Sequence, residues 1–173
     1  LTVGTGLFAA PLKEEPFLFT DAGIDGGLDT SGDPTISRSR LVNINFDALG
    51  GTDAPPGDLS NVSTALVLNL FDGLTFTAKL DRAETNLSGG YSWIGHLEGI
   101  EHSQVILVVK EDLMAGDIVL PGARYHVRYA GRGVHAIHDI DQSAFPPEHE
   151  PIPVEFLGED KALDKALADD GST

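Results

Sequence analysis

The sequence predicts an all-β fold, an antiparallel meander curled into a barrel-like or two-layer form. Strand-like apolar runs follow one another about every ten residues, tight turns separate them, and no convincing helix lies among them. This pattern is typical of antiparallel sheets and not of βαβ units. Because a meander of this length must bury both its apolar face and its edges, we expect the sheet to curl upon itself.

The first third of the chain alternates between short strands and loops. Phe17–Thr20 is a short apolar run, and the Gly- and Asp-rich segment Asp21–Pro34 has no apolar period, which indicates a loop. Apolar and polar residues alternate along Arg38–Phe46, as in a strand with one solvent-exposed face. Gly50–Asp58, which contains two prolines, indicates a second loop before the main meander.

A hairpin opens the main meander. Thr64–Phe71 and Leu74–Leu80 are joined by Asp72-Gly73, a dipeptide typical of two-residue hairpin turns. Further strands are predicted at Tyr91–Leu97, Gln104–Val109, Leu113–Leu120, Arg124–Tyr129 and Val134–His138.

The chain divides into three parts. Residues 1–36 hold the N-terminal strand and the acidic Gly-rich loop, residues 37–145 form the antiparallel β domain, and residues 146–173 are a Pro-rich linker and tail. We expect the tail to be extended at first and to end in a short helix, because Leu157–Asp169 is rich in helix formers.

Charge narrows the classes of partner. Lys and Arg number 11 against 27 Asp and Glu, a net charge of −16, which repels nucleic acid and favours cations or proteins with basic surfaces. No apolar run approaches the length of a transmembrane helix. The absence of cysteine excludes disulfides and thiolate chemistry.

Several stretches between Arg38 and Pro151 resemble, in their order, one known family. They are Ser37–Val42, Leu68–Phe71, Phe76–Arg82, Tyr91–Gly99, Gln104–Val109, Met114–Gly122, Tyr125–His135 and Asp139–Glu148. Together they resemble the pro-region that precedes the catalytic domain in bacterial zinc metalloendopeptidases of the peptidyl-Asp and reprolysin-like type. The resemblance implies a secreted or cell-envelope protein without catalytic activity, which assists the folding of a protease catalytic domain and masks its active site.

The sequence departs from that family in one respect, since it contains no His-Glu-x-x-His zinc motif. It is therefore expected to be a separated pro-region or a domain used alone. The main alternative is an extracellular structural or adhesion module that binds copies of itself by strand addition at its sheet edges. A small calcium- or sugar-binding module is a third interpretation.

A masking pro-region needs a group that blocks the catalytic zinc. Without a thiolate, a carboxylate or an imidazole beside the extended tail remains. Asp139, Asp141 and His149 are the candidate zinc-masking residues.

Calcium is the one cofactor that the sequence suggests. Asp21, Asp25, Asp29 and Asp33 recur every four residues in a Gly-rich loop, and calcium takes its oxygen ligands from such flexible loops. The loop lacks the alternating aspartates and the closing glutamate of an EF-hand, so a solvated acidic loop is the competing interpretation.

Two further groups of side chains have compositions that occur in binding sites. His135 and His138, followed by Asp139, have the composition of a metal site, but residues three apart on a strand point to opposite faces and do not converge. Tyr91, Trp93, Tyr125 and Tyr129 are expected to pack in the core and turns, with a sugar-binding platform as the alternative.

Overall fold

The computed structural model describes residues 16–23, 33–51 and 59–145. In these residues the chain forms nine strands, one short α-helix (α1, Phe46–Leu49) and one 3₁₀ turn (Gln142–Ala144). The strands are β1 (Phe19–Asp21), β2 (Ile36–Ile44), β3 (Ala65–Phe71), β4 (Leu74–Thr85), β5 (Tyr91–Leu97), β6 (Gln104–Lys110), β7 (Leu113–Leu120), β8 (Ala123–Gly131) and β9 (Val134–Ile140).

All nine strands lie in one antiparallel sheet, in the order β1-β2-β9-β8-β7-β6-β5-β4-β3. Strands β3 to β9 are a continuous meander, and β2 pairs with β9 at its end. The sheet curls until it is nearly closed, so the predicted all-β, barrel-like meander is confirmed. The predicted tail and its helix lie outside the described residues.

The two outer strands, β1 and β3, meet at a seam that we define by Leu18, Phe19, Arg40, Val67 and Asn69. The Leu18 amide donates to the Val67 carbonyl at 2.9 Å, and Arg40 Nη1 donates to the carbonyl of Asn69 at 2.7 Å. The Asn69 side chain accepts from the Phe19 amide at 3.1 Å and donates to the Phe19 carbonyl at 2.7 Å. Because the edge groups at the seam bond to each other, they leave little backbone there for strand addition.

The barrel interior is filled by alternate residues of the strands. Trp93 and Tyr91 are buried, and the Trp93 indole donates to the Ser63 carbonyl at 2.8 Å. A side chain at Gly95 would meet the Lys79 carbonyl and the Trp93 ring, the latter at 2.7 Å, so only glycine fits beneath the indole. The core role predicted for the aromatic residues is confirmed for Tyr91, Trp93 and Tyr125.

The prediction was wrong at the end of β2. Phe46 was assigned to the strand, but β2 ends at Ile44 and Phe46 opens α1. The helix buries Ala48 and Leu49, and Gly50 ends it in the left-handed conformation with φ 96°. Burial of this apolar pair against the barrel outweighs the strand pattern that precedes it.

Candidate functional site

Asp139, a predicted zinc-masking residue, lies on β9 in an ion pair. Arg38 Nε donates to its carboxylate at 2.9 Å, and the Arg38 guanidinium stacks over the Phe71 ring at 4.0 Å from the centroid. Asp139 is thus held within the barrel wall by a charge-assisted bond. To reach a zinc ion its carboxylate would have to leave Arg38.

Asp141, the second candidate, follows β9 and caps the 3₁₀ turn. Its carboxylate accepts from the Ser143 hydroxyl at 2.6 Å and from the Ser143 amide at 2.9 Å. These bonds, the hydroxyl's first, lower the pKa of Asp141. His149, the third candidate, lies outside the described residues, so the masking set as a whole stays a prediction.

The predicted calcium ligands are only half described. Asp21 pairs with Arg40 at 2.7 Å, and Asp33 accepts from the Thr35 hydroxyl at 2.6 Å and the Thr35 amide at 3.0 Å, which lowers its pKa. Asp25 and Asp29 lie outside the described residues. Within residues 16–23, 33–51 and 59–145 no three metal-ligating side chains form a group, so calcium binding stays a prediction.

His135 and His138 lie on opposite faces of β9, as their spacing predicted. His135 faces inward, is fully buried, and its Nε2 accepts from the Met114 amide at 3.1 Å. Burial lowers its pKa, against a smaller opposite effect of Asp112. His138 faces outward and pairs across the strands with His126.

A row of outward side chains crosses the sheet at His138. The register pairs Ile94 with Ile106, Ile106 with Asp117, Asp117 with His126 and His126 with His138. Sequence reasoning missed this row. Its signal was the alternation in β8, where three successive outward positions are basic: Arg124, His126 and Arg128.

Two neighbouring cavities on this face share His126 and Arg128, which line both. The larger, of about 310 Å³, lies over β6–β8, and the smaller, of about 230 Å³, lies over β8 and β9. Together we call them the outer groove. Its apolar walls are Ile106, Val108 and Ala115 in the larger cavity and Ile36, Ile140 and Phe145 in the smaller one.

The charged groups of the outer groove are unequally paired. Arg124 makes two bonds to Asp117, of 2.9 and 2.8 Å, and is neutralised. Arg128 instead contacts His126 Nδ1 at 3.5 Å, and no carboxylate among the described residues lies within 4.0 Å of it. His126 Nε2 lies 3.4 Å from Asp117 Oδ1, and its Nδ1 accepts from Arg128 only in the tautomer that carries the proton on Nε2.

His138 is the unsatisfied group of the outer groove. It is 9% exposed, and its Nδ1 has no hydrogen-bond partner in the described part of the chain. Burial lowers its pKa first, followed by the charges of Arg128 and His126, while Asp33 opposes them. Burial likewise lowers the pKa of His126. The groove therefore holds two neutral imidazoles beside a fixed cation near neutral pH.

Comparison with protein-family models, curated proteins and solved structures gave no match. Among the described residues, no helix is long and apolar enough to cross a membrane.

Proposed function

We propose that this chain is a non-catalytic binding domain, the pro-region of a secreted zinc metalloendopeptidase, which assists folding of the protease and masks its active site. The sequence stretches between residues 38 and 151 support the family assignment, because they resemble that family and occur in the same order. The observation that carries a binding role is the outer groove, where apolar walls adjoin a cation that has no carboxylate partner in the described chain.

The outer groove has the composition of a protein contact. Apolar side chains contribute most of the free energy of such contacts, and Arg is enriched in them. In a chain of net charge −16, a local basic surface is set against the overall field and selects an acidic surface on a partner. We therefore place the protease contact here.

Inhibition in trans tests the proposal. The purified chain should inhibit a zinc endopeptidase of the peptidyl-Asp type, and Arg128→Glu should raise the inhibition constant tenfold or more, about 1.4 kcal/mol. Arg82→Glu is the matched control, because Arg82 is exposed on β4 and pairs only with Glu84 among the described residues. A wild-type chain that neither inhibits nor assists refolding of such an enzyme contradicts the proposal.

The same assay tests the masking carboxylate. If Asp141 binds the catalytic zinc, Asp141→Ala should weaken inhibition, whereas Ser143→Ala, which removes only the hydroxyl that holds the carboxylate, should weaken it less. Equal inhibition by wild type and Asp141→Ala removes Asp141 from the mechanism and leaves the groove contact in place.

Self-assembly is the second candidate function, because carboxylates of another copy can pair with Arg128 in the outer groove, against the general repulsion between two chains of net charge −16. Bonding across the seam makes the groove a better contact than the strand edges. Light scattering after size exclusion should then show association that salt weakens and Arg128→Glu abolishes. A chain that stays monomeric at all concentrations and salts rules this candidate out.

A further inference from the structure

The smaller cavity of the outer groove is lined by His138, whose ring carries a buried nitrogen without a partner among the described residues. His138 Nδ1 is inaccessible and unpaired among the described residues, although buried polar groups are almost always hydrogen-bonded. Such an atom destabilises the fold while it stays unpaired. A group that enters the cavity can become its partner once the His138 ring turns toward that group.

We propose that the smaller cavity binds a carboxylate of an acidic side chain on a partner protein, held by His126, Arg128 and His138. The inference rests on the proposed function and names the chemistry that the groove recognises. It also makes binding dependent on pH.

The three residues are brought together by the register. His126 and His138 are direct cross-strand partners. In pairs of this kind the two Cβ atoms lie about 4.5–5.5 Å apart. Arg128 lies two residues beyond His126, hence on the same face, and lines the same cavity. The cavity thus combines one permanent cation with two rings that each have one N–H donor when neutral and two, with a positive charge, when protonated.

An anion fits this set better than a cation does. Arg128 repels a metal ion in the cavity, since guanidinium stays protonated at all relevant pH values. The apolar walls Ile36, Ile140 and Phe145 suit the methylene stem of a side chain that carries its charge at the tip. A glutamate side chain has both parts.

The surrounding charges set the pH dependence. Asp33 lines the smaller cavity and repels a bound carboxylate, while Asp117 and Arg124 on the neighbouring side largely cancel each other. Burial and Arg128 keep His126 and His138 neutral, and a bound carboxylate favours their protonated forms. Binding should therefore take up protons and strengthen as pH falls from 8 to 6.

A short peptide tests the site without any protease. An end-blocked Ala-Ala-Glu-Ala-Ala peptide, titrated into the full chain and followed by NMR of the histidine rings, should shift His126 and His138 and bind at least threefold tighter at pH 6 than at pH 8. The matched peptide with Gln in place of Glu should bind at least tenfold more weakly. Equal binding of the two peptides, or binding that does not change with pH, overturns the inference.

Variants locate the binding. His138→Leu and, as a second variant that keeps a polar side chain, His126→Asn should each weaken peptide binding at least fivefold. Asp33→Asn should strengthen it at least twofold, because a repelling carboxylate is removed. Arg82→Glu should leave it unchanged, and loss of binding in that control as well as in the groove variants would contradict a site in this cavity.

Two arms separate this inference from others. If Glu148→Gln with Glu150→Gln changes the titration of His138 without added peptide, the carboxylate comes from this chain itself and the partner assignment is overturned. Peptide binding without inhibition of a protease supports the carboxylate site and contradicts the masking function. If the chain inhibits a protease and His138→Leu leaves that inhibition unchanged, the masking function is supported and the carboxylate site is contradicted.

Discussion

The seam and the outer groove are built from similar groups but differ in whether those groups are paired. At the seam, Arg40 donates to two backbone carbonyls and pairs with Asp21, and both ends of the Asn69 amide are used. In the outer groove, Arg128 has no carboxylate partner in the described chain and His138 Nδ1 has no partner there. A closed polar cluster stabilises the fold, whereas an open one is available to a ligand.

Mutations in the two regions should therefore have opposite effects on stability and on binding. Removing a paired group at the seam leaves its former partners buried and unsatisfied, so stability should fall. Removing an unpaired group from the groove relieves a cost, so stability should hold while binding is lost. Measurements that separate stability from binding therefore test the division directly.

The largest effect is expected at the seam. Asn69→Ala deprives the buried Phe19 backbone of both a donor and an acceptor. At about 1–3 kcal/mol for each of the two orphaned groups, the free energy of unfolding should fall by about 2–6 kcal/mol. Urea denaturation followed by Trp93 fluorescence measures it, because the indole is fully buried.

Asn43→Ala is the matched control for the seam. Asn43 is exposed on β2, so its removal should change stability by less than about 0.5 kcal/mol. If both variants lose the same stability, the Asn69 bonds do not hold the seam. Glu peptide binding should be unchanged in both, since neither residue lines the groove.

The fold was predictable because hydrophobic alternation and turn residues are local signals. The Asp72-Gly73 hairpin appears between β3 and β4 where it was predicted, and the interior position of Trp93 follows from alternation along β5. The prediction failed at the end of β2 because the burial of α1 depends on residues far along the chain. Closure at the seam was expected only in general terms, since the partners of Asn69 are set by tertiary structure.

The outer groove was not predicted, although its basic residues follow a regular sequence pattern. Arg124, His126 and Arg128 alternate along β8, but sequence does not say which strand lies opposite or in what register. Only the register of β8 with β9 places His126 against His138. His135 and His138 are close in sequence but lie on opposite faces of β9, as their spacing of three predicts.

The second-largest effect on stability is expected when the pH is lowered. The pKa of His135 is lowered by burial, so the unfolded chain binds the proton more readily than the folded one. The contribution of His135 is fully present above its ordinary pKa near 6.5 and is lost as pH falls below that value. Between pH 7.5 and 5 the loss for one histidine should not exceed about 2 kcal/mol, the linkage limit over that span.

His135→Gln tests this assignment, because the amide oxygen still offers an acceptor to the Met114 amide but does not titrate. The variant should lose less stability than wild type between pH 7.5 and 5 in parallel urea titrations. His96→Gln is the control, since His96 is exposed and bonded to Asp81. A slope that His135→Gln leaves as steep as in wild type would assign the acid sensitivity to other groups.

The smallest effect on stability is expected in the groove, where it is most informative. His138→Leu replaces a buried ring with an unpaired nitrogen by an apolar side chain among Ile36, Ile140 and Phe145. Since no described bond to Nδ1 is lost, the free energy of unfolding at pH 7.5 should change by less than about 1 kcal/mol, in either direction. A loss above about 2 kcal/mol would show that His138 is a structural residue like Asn69, and the distinction between a closed seam and an open groove would fail at its central atom.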